Sequence, residues 1–256
     1  MLLIFLSIEQ TFTQKNGGIF LKNLNVEIYA DGAVVSDMIA AKKQGIVSGF
    51  TTNPTLMKRA GITDYMEFAK EALSQVGNAS ISFEVFADDF ATMKLEAEKL
   101  SKLGGNVFVK IPITNTKGES SVPLIAELSQ QDISINVTAI LTIEQVEEVL
   151  GAFKVGTKNI VSVFAGRVAD TGVDPTNLMK QSVELVRGNG NAKLLWASSR
   201  EVLNIIQADQ MGVDIITVTS SLLNKLNMLG IDAKELSLDT VIGFNKDIKD
   251  LGFSIL

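Results

Sequence analysis

The stretch Gly105-Asn106-Val107-Phe108-Val109-Lys110-Ile111-Pro112-Ile113-Thr114 decides the reading of this chain. Residues 107–111 suit a buried strand, and Pro112 closes it. Lys110 stands at the end of that apolar run. An ammonium ion is costly to bury, so burial favours the neutral amine, which is a nucleophile. A neutral lysine attacking a carbonyl is the first step of Schiff-base chemistry. Taken alone, the same residue reads more readily as a lysine that carries its head out to solvent where the strand stops.

Outward from this strand, an alternating rhythm fills the chain. Strand-like runs lie at 26–30, 45–50, 80–86, 107–111, 134–137, 160–164, 193–196 and 215–218. Residues 67–75, 90–103, 122–129, 143–153, 176–187 and 200–209 carry apolar residues near i, i+3, i+4 and i+7 and read as helices. Asp89, Thr142 and Asp174 are candidate helix starts, the last followed by Pro175. The strand runs are too continuously apolar for one-faced strands, which predicts parallel β structure covered by helices. Eight such units in this length predict a single (β/α)8 barrel over 25–256. A doubly wound open sheet is the rival, weakened because no G-x-G-x-x-G follows the first strand. Residues 1–24 read as an N-terminal extension, and 237–250 as an appended helix before an apolar tail.

Composition narrows the chemistry. The 256 residues are 46% hydrophobic and 20% charged, ample for a large core. A net charge of −6 without a basic stripe argues against nucleic acid as a partner. The absence of cysteine excludes disulfides and thiolate nucleophiles, and the absence of histidine excludes serine–histidine triads and histidine-ligated metals. Proton transfer therefore falls to carboxylates, lysine, tyrosine, hydroxyls or water. The apolar run Met1–Ile8 is too short to span a membrane and lacks a basic leader, so a cytoplasmic protein without a membrane partner is expected.

In a barrel of this kind the loops after the strands build the active site. The strand ends here carry Asp31, Asn53, Glu84, Lys110, Asn136 with Thr138, Ser162 with Arg167, and Ser198 with Arg200. Each has a structural alternative. Asp31-Gly32 is a turn signal, Asn53-Pro54 precedes a helix, Glu84 suits an outward strand position, and Asn136 and Thr138 suit bonds to nearby backbone. Ser198-Ser199-Arg200 suits a helix cap. Stability alone, however, does not call for a polar group at the end of nearly every strand.

The motifs, taken in order, resemble the transaldolase family, which includes the fructose-6-phosphate aldolases. They are Ala30-Asp31-Gly32, Thr51-Thr52-Asn53-Pro54-Thr55, Phe83-Glu84-Val85, Val109-Lys110-Ile111-Pro112, Asn136-Val137-Thr138, Phe164-Ala165-Gly166-Arg167 and Ala197-Ser198-Ser199-Arg200. The resemblance implies a (β/α)8 barrel and a Schiff-base aldol mechanism without metal or cofactor. It implies Lys110 as the imine-forming amine and Asp31 as the base for the C4 hydroxyl. Glu84 and Thr138 would hold a proton-shuttling water. Asn53, Asn136 and Ser162 would contact the dihydroxyacetone portion, and Arg167, Ser198 and Arg200 the phosphate. The expected partners are sugar-phosphate substrates.

Phe164 bears on subtype. The fructose-6-phosphate aldolases carry tyrosine there, and phenylalanine has no proton to give, so transfer of a dihydroxyacetone unit is expected over its release. An aldolase and a non-catalytic sugar-phosphate-binding protein are the alternatives. The polar segment 115–121 is a candidate determinant of acceptor choice. The tail 251–256 suits a neighbouring subunit in a homo-oligomer or its own barrel equally.

Overall fold

The computed structural model describes residues 24–255, so the expected extension over residues 1–24 lies outside the described residues except for Leu24. Residues Leu24–Asn224 form a closed barrel of eight parallel strands, each hydrogen-bonded to its sequence neighbours, with β8 returning to β1. The strands are β1 Glu27–Asp31, β2 Val47–Thr51, β3 Ser80–Glu84, β4 Val107–Pro112, β5 Ile135–Ile140, β6 Asn159–Val163, β7 Lys193–Trp196 and β8 Ile215–Thr219. Each matches an expected run to within a few residues. The open-sheet alternative falls because β8 pairs with β1 over its full length, from Glu27 with Ile215 to Asp31 with Thr219.

Alternation along each strand sorts the side chains into helix-facing and axis-facing sets. On β4, Val107, Val109 and Ile111 are buried beneath the helices, while Phe108 and Lys110 face the axis. The axis-facing residues stack in layers. The apolar axis-facing residues Tyr29, Ile160, Leu195, Ala197 and Ile215 pack together as one cluster, with Phe108 and Phe164 against them. Tyr29 fits because Gly49 sits beside it in register, and a Cβ on Gly49 would lie 2.4 Å from the ring.

Helix starts follow local chemistry. Asp89 accepts from Thr92 N at 2.8 Å, and Thr142 forms a capping box with Gln145. Asp174 is displaced from the capping position by one residue: Pro175 holds that place, although Asp174 still accepts from Thr176 N at 2.9 Å. Four α-helical segments among the described residues escape the periodicity reading. Pro54–Arg59, Ala165–Asp170 and Ser220–Leu223 are too short to show a repeat, and Val35–Lys43 buries only Met38 and Ala41. The helix expected from residue 200 begins at Leu203, because Asn204 Oδ1 accepts from the N–H groups of Arg200 and Glu201 and holds them outside it.

The described residues from Lys225 to Ile255 belong to a second compact unit. Its helix Ala233–Leu251 is capped by Asp232 and is longer than the expected 237–250. None of the helix residues is buried. Among the described residues no helix is long and apolar enough to cross a membrane.

Gly49→Ala should destabilise the barrel by about 1–3 kcal/mol, because the added Cβ would stand 2.4 Å from the buried Tyr29 ring and force it to shift. Denaturant titration checks this, and adding Tyr29→Phe should not restore the loss, since the clash is with the ring.

Candidate active site

The C-terminal ends of the strands carry a layer of polar axis-facing side chains. Strand register makes the neighbours: Lys110 lies opposite Glu84 on β3 and Asn136 on β5. Lys110 is only 6% exposed. Its Nζ lies 3.0 Å from Glu84 Oε2 and donates to Thr52 O at 2.8 Å. The nitrogen is buried, as expected for a lysine closing an apolar strand, and it has two polar partners. The reading of a lysine reaching out to solvent fails, as does that of an outward-facing Glu84.

Asp31 ends β1 on the same layer and accepts from Thr51 Oγ1 at 2.8 Å. Burial pushes its carboxyl above the ordinary aspartate range, with the charge of Lys110 and the Thr51 hydroxyl partly opposing that rise. Thr51 Oγ1 also meets Thr217 Oγ1 at 2.5 Å, tying β1, β2 and β8 together at this level.

Asn136 is fully buried. Its Nδ2 donates to Ser82 Oγ at 3.0 Å, and its Oδ1 accepts from Ser162 Oγ at 2.6 Å. The side chains of β3, β5 and β6 thus form one chain of hydrogen bonds across the barrel. Thr138 is buried, and its Oγ1 has no hydrogen-bond partner. A register shift in β5 between Val137 and Ile140, with Ala139 at φ 61°, accompanies its position. A buried unpaired hydroxyl costs stability unless something bonds to it.

Asn53 serves the structural alternative considered for it: its Oδ1 accepts from Leu56 N at 3.0 Å and caps the helix Pro54–Arg59. Only its amide N–H groups remain to reach a ligand. Phe164 packs on the apolar cluster, with the Arg167 Cζ 5.5 Å from its ring centroid. Arg167 is exposed, and among the described residues it forms no ion pair. Arg200 is exposed and bound bidentately by Asp170 through Nε and Nη2, while Nη1 donates to Ser198 O at 2.9 Å. This pairing holds the Asp170 carboxyl below its usual range. Ser198 has φ 64° and lies in the loop, so Ser198-Ser199-Arg200 does not cap the following helix.

The barrel brings Asp31, Glu84, Lys110, Asn136, Thr138 and Ser162 into one polar layer, with Arg167, Ser198 and Arg200 on the loops after β6 and β7. Sequence reasoning missed Thr51, Thr52, Ser82, Thr217, Tyr65 and Asp170. Thr51, Ser82 and Thr217 carried a usable signal, a hydroxyl at an axis-facing position among apolar strand residues, whereas Thr52 follows Thr51 on the opposite face and carried none. Tyr65 carried none, since it acts from a helix, donating to Glu84 O at 2.8 Å while its ring stacks on Phe86.

A family model described as transaldolase/fructose-6-phosphate aldolase matches residues 28–255. The chain belongs to this family. It is 32% identical to a probable transaldolase of Dehalococcoides mccartyi over 202 residues, covering 78% of this chain and 90% of that protein. It is 35% identical to one from Carboxydothermus hydrogenoformans, covering 78% and 90%, and 36% identical to one from Methanococcus maripaludis, covering 78% and 89%.

The raised Asp31 value sets a pH signature. A carboxyl whose folded value lies above its unfolded one adds stability below the unfolded value and loses it as pH rises through the folded value. Asp31→Asn should therefore raise the melting temperature by more at about pH 7 than at about pH 4, because the unfavourable ionisation of the buried aspartate grows with pH. Paired thermal scans at the two pH values check the sign.

Proposed function

We propose that this protein is a transaldolase-type transferase that moves a dihydroxyacetone unit from a ketose phosphate to an aldose phosphate through a Lys110 imine. The observation that carries this reading is the placement of Lys110, with its buried nitrogen 3.0 Å from Glu84 and the Asp31 carboxyl close enough to feel its charge.

Lys110 gives up a proton, for which Glu84 is the adjacent acceptor, and its free amine attacks the ketose C2. A proton returned to the carbinolamine oxygen lets water leave, and the protonated imine remains. Asp31 then takes the proton from the C4 hydroxyl. The C3–C4 bond breaks, its electrons pass into the imine, and an aldehyde departs. The enamine attacks the carbon of an acceptor aldehyde, Asp31 returns the proton to the new hydroxyl, and hydrolysis frees Lys110. The proton transfers to and from the C2 oxygen need a relay. A water held between Glu84 and Thr138 provides one and pairs the otherwise orphaned Thr138 hydroxyl.

Asn136, fixed by Ser82 and Ser162, and the amide N–H groups of Asn53 hydrogen-bond the dihydroxyacetone hydroxyls. Ser162 acts mainly through Asn136, since its hydroxyl is committed there. Arg167, Arg200 and Ser198 take the phosphate by charge-assisted hydrogen bonds. Phe164 favours transfer over an aldolase reaction, because its ring brings no proton donor to the enamine.

Borohydride reduction with fructose 6-phosphate should place a single adduct on Lys110 by peptide mass spectrometry. Lys110→Arg should abolish it, because a guanidinium stays protonated. An adduct on another lysine would refute the assignment.

Phe164→Tyr should gain release of free dihydroxyacetone and lose part of the transfer activity, read by product analysis with and without an acceptor aldehyde. If the parent already releases dihydroxyacetone as fast as it transfers it, the protein is an aldolase.

A further inference from the structure

We infer that Asp170 is a positioning residue for phosphate recognition: it locks the Arg200 guanidinium in one orientation before the substrate arrives. The inference rests on Arg200 being a phosphate ligand, as proposed above.

An exposed arginine samples many rotamers, and a ligand that needs one of them must restrict the rest on binding. Arg200 is exposed but not free. Its Nε donates to Asp170 Oδ1 at 2.9 Å, its Nη2 to Asp170 Oδ2, and its Nη1 to Ser198 O at 2.9 Å. These contacts fall on three of the five guanidinium N–H groups and define the plane of the fork. Two N–H groups, one on each terminal nitrogen, remain for phosphate oxygens.

The holding contacts come from fixed backbone. Asp170 ends the helix Ala165–Asp170, which starts directly after β6 and also carries Arg167. The Ser198 carbonyl is set by the left-handed conformation of that residue and lies against Gly166, where a Cβ would stand 1.6 Å from Ser198 O. Gly166 N also donates to Ala197 O at 3.4 Å. The first turn after β6 is thereby pressed onto the loop after β7, so Arg167 and the clamp on Arg200 move as one piece.

The clamp carries an electrostatic cost. With Asp170 present, the two arginines offer a net charge of +1 to the phosphate, not +2. If Asp170 only neutralised Arg200, removing it would tighten phosphate binding. If it positions Arg200, removing it weakens binding.

The experiment titrates formation of the borohydride-trapped Lys110 adduct with fructose 6-phosphate and, separately, with dihydroxyacetone, in the parent protein, Asp170→Ala, Asp170→Asn and Arg200→Ala. Asp170→Ala should raise the half-saturating fructose 6-phosphate concentration about tenfold, the scale of re-ordering one long side chain. The dihydroxyacetone titration should not shift. Asp170→Asn keeps one acceptor oxygen and should recover part of the loss. A lower half-saturation in Asp170→Ala, no change, or equal shifts for both ketones would each overturn the inference. Arg200→Ala separates the two claims. If it shifts only fructose 6-phosphate while Asp170→Ala is silent, positioning alone fails. If it leaves both titrations unmoved, the phosphate role of Arg200 fails as well.

Discussion

A buried lysine nitrogen needs polar partners, and in this barrel Lys110 draws them from two directions. Glu84 stands beside it by strand register, and the Thr52 carbonyl receives its remaining reach. Leaving either charge buried without the other would cost several kcal/mol, by the general behaviour of such pairs (about 3–5). That constraint propagates. Glu84 must be held at its strand end, and Tyr65 does so by donating to its carbonyl from a helix outside the barrel. Thr52 must keep its carbonyl aimed inward, and its own hydroxyl is tied to Ser82 O on β3.

The polar side chains rest on apolar ones. Tyr29 and Ile160 stand two residues before Asp31 and Ser162 on the same strand faces and pack with Leu195 and Ile215. Asn136 is fully buried, and each side of its amide is bonded to a hydroxyl on a different strand. An amide fixed in this way presents its remaining bonding capacity in one direction, the pre-organisation that substrate recognition requires. Thr138, alone in this layer with an unpaired hydroxyl, marks where the protein leaves a bond for something else to make.

The phosphate end follows a different logic. Arg167 and Arg200 are exposed and stand on loops, where a side chain has no packed core to hold it. Arg167 lies over the Phe164 ring, which itself packs against the apolar cluster, and Arg200 is held by Asp170 and Ser198. One arginine is thus steadied by an aromatic face and the other by a carboxylate and a carbonyl. The Phe164 ring and the Asp170 carboxylate both come from the segment after β6, and the Ser198 carbonyl from the loop after β7.

The sequence by itself determined the strand rhythm, and with it the barrel, because a parallel strand buried on both faces must be apolar and the intervening helices must carry a 3.6-residue repeat. It also marked Asp31, Glu84, Lys110, Asn136, Thr138 and Ser162, since a polar residue at the end of an apolar strand is locally anomalous. It overlooked Val35–Lys43, whose buried face holds only Met38 and Ala41, and it set a helix start at residue 200 where Asn204 holds the N–H groups outside. Only the tertiary structure decided who partners whom. Lys110 and Glu84 are 26 positions apart in the chain, and Asp170 and Arg200 are 30 apart, so no local pattern couples them. Strand register and the close approach at Gly166 make those pairs, and register depends on the whole barrel closing.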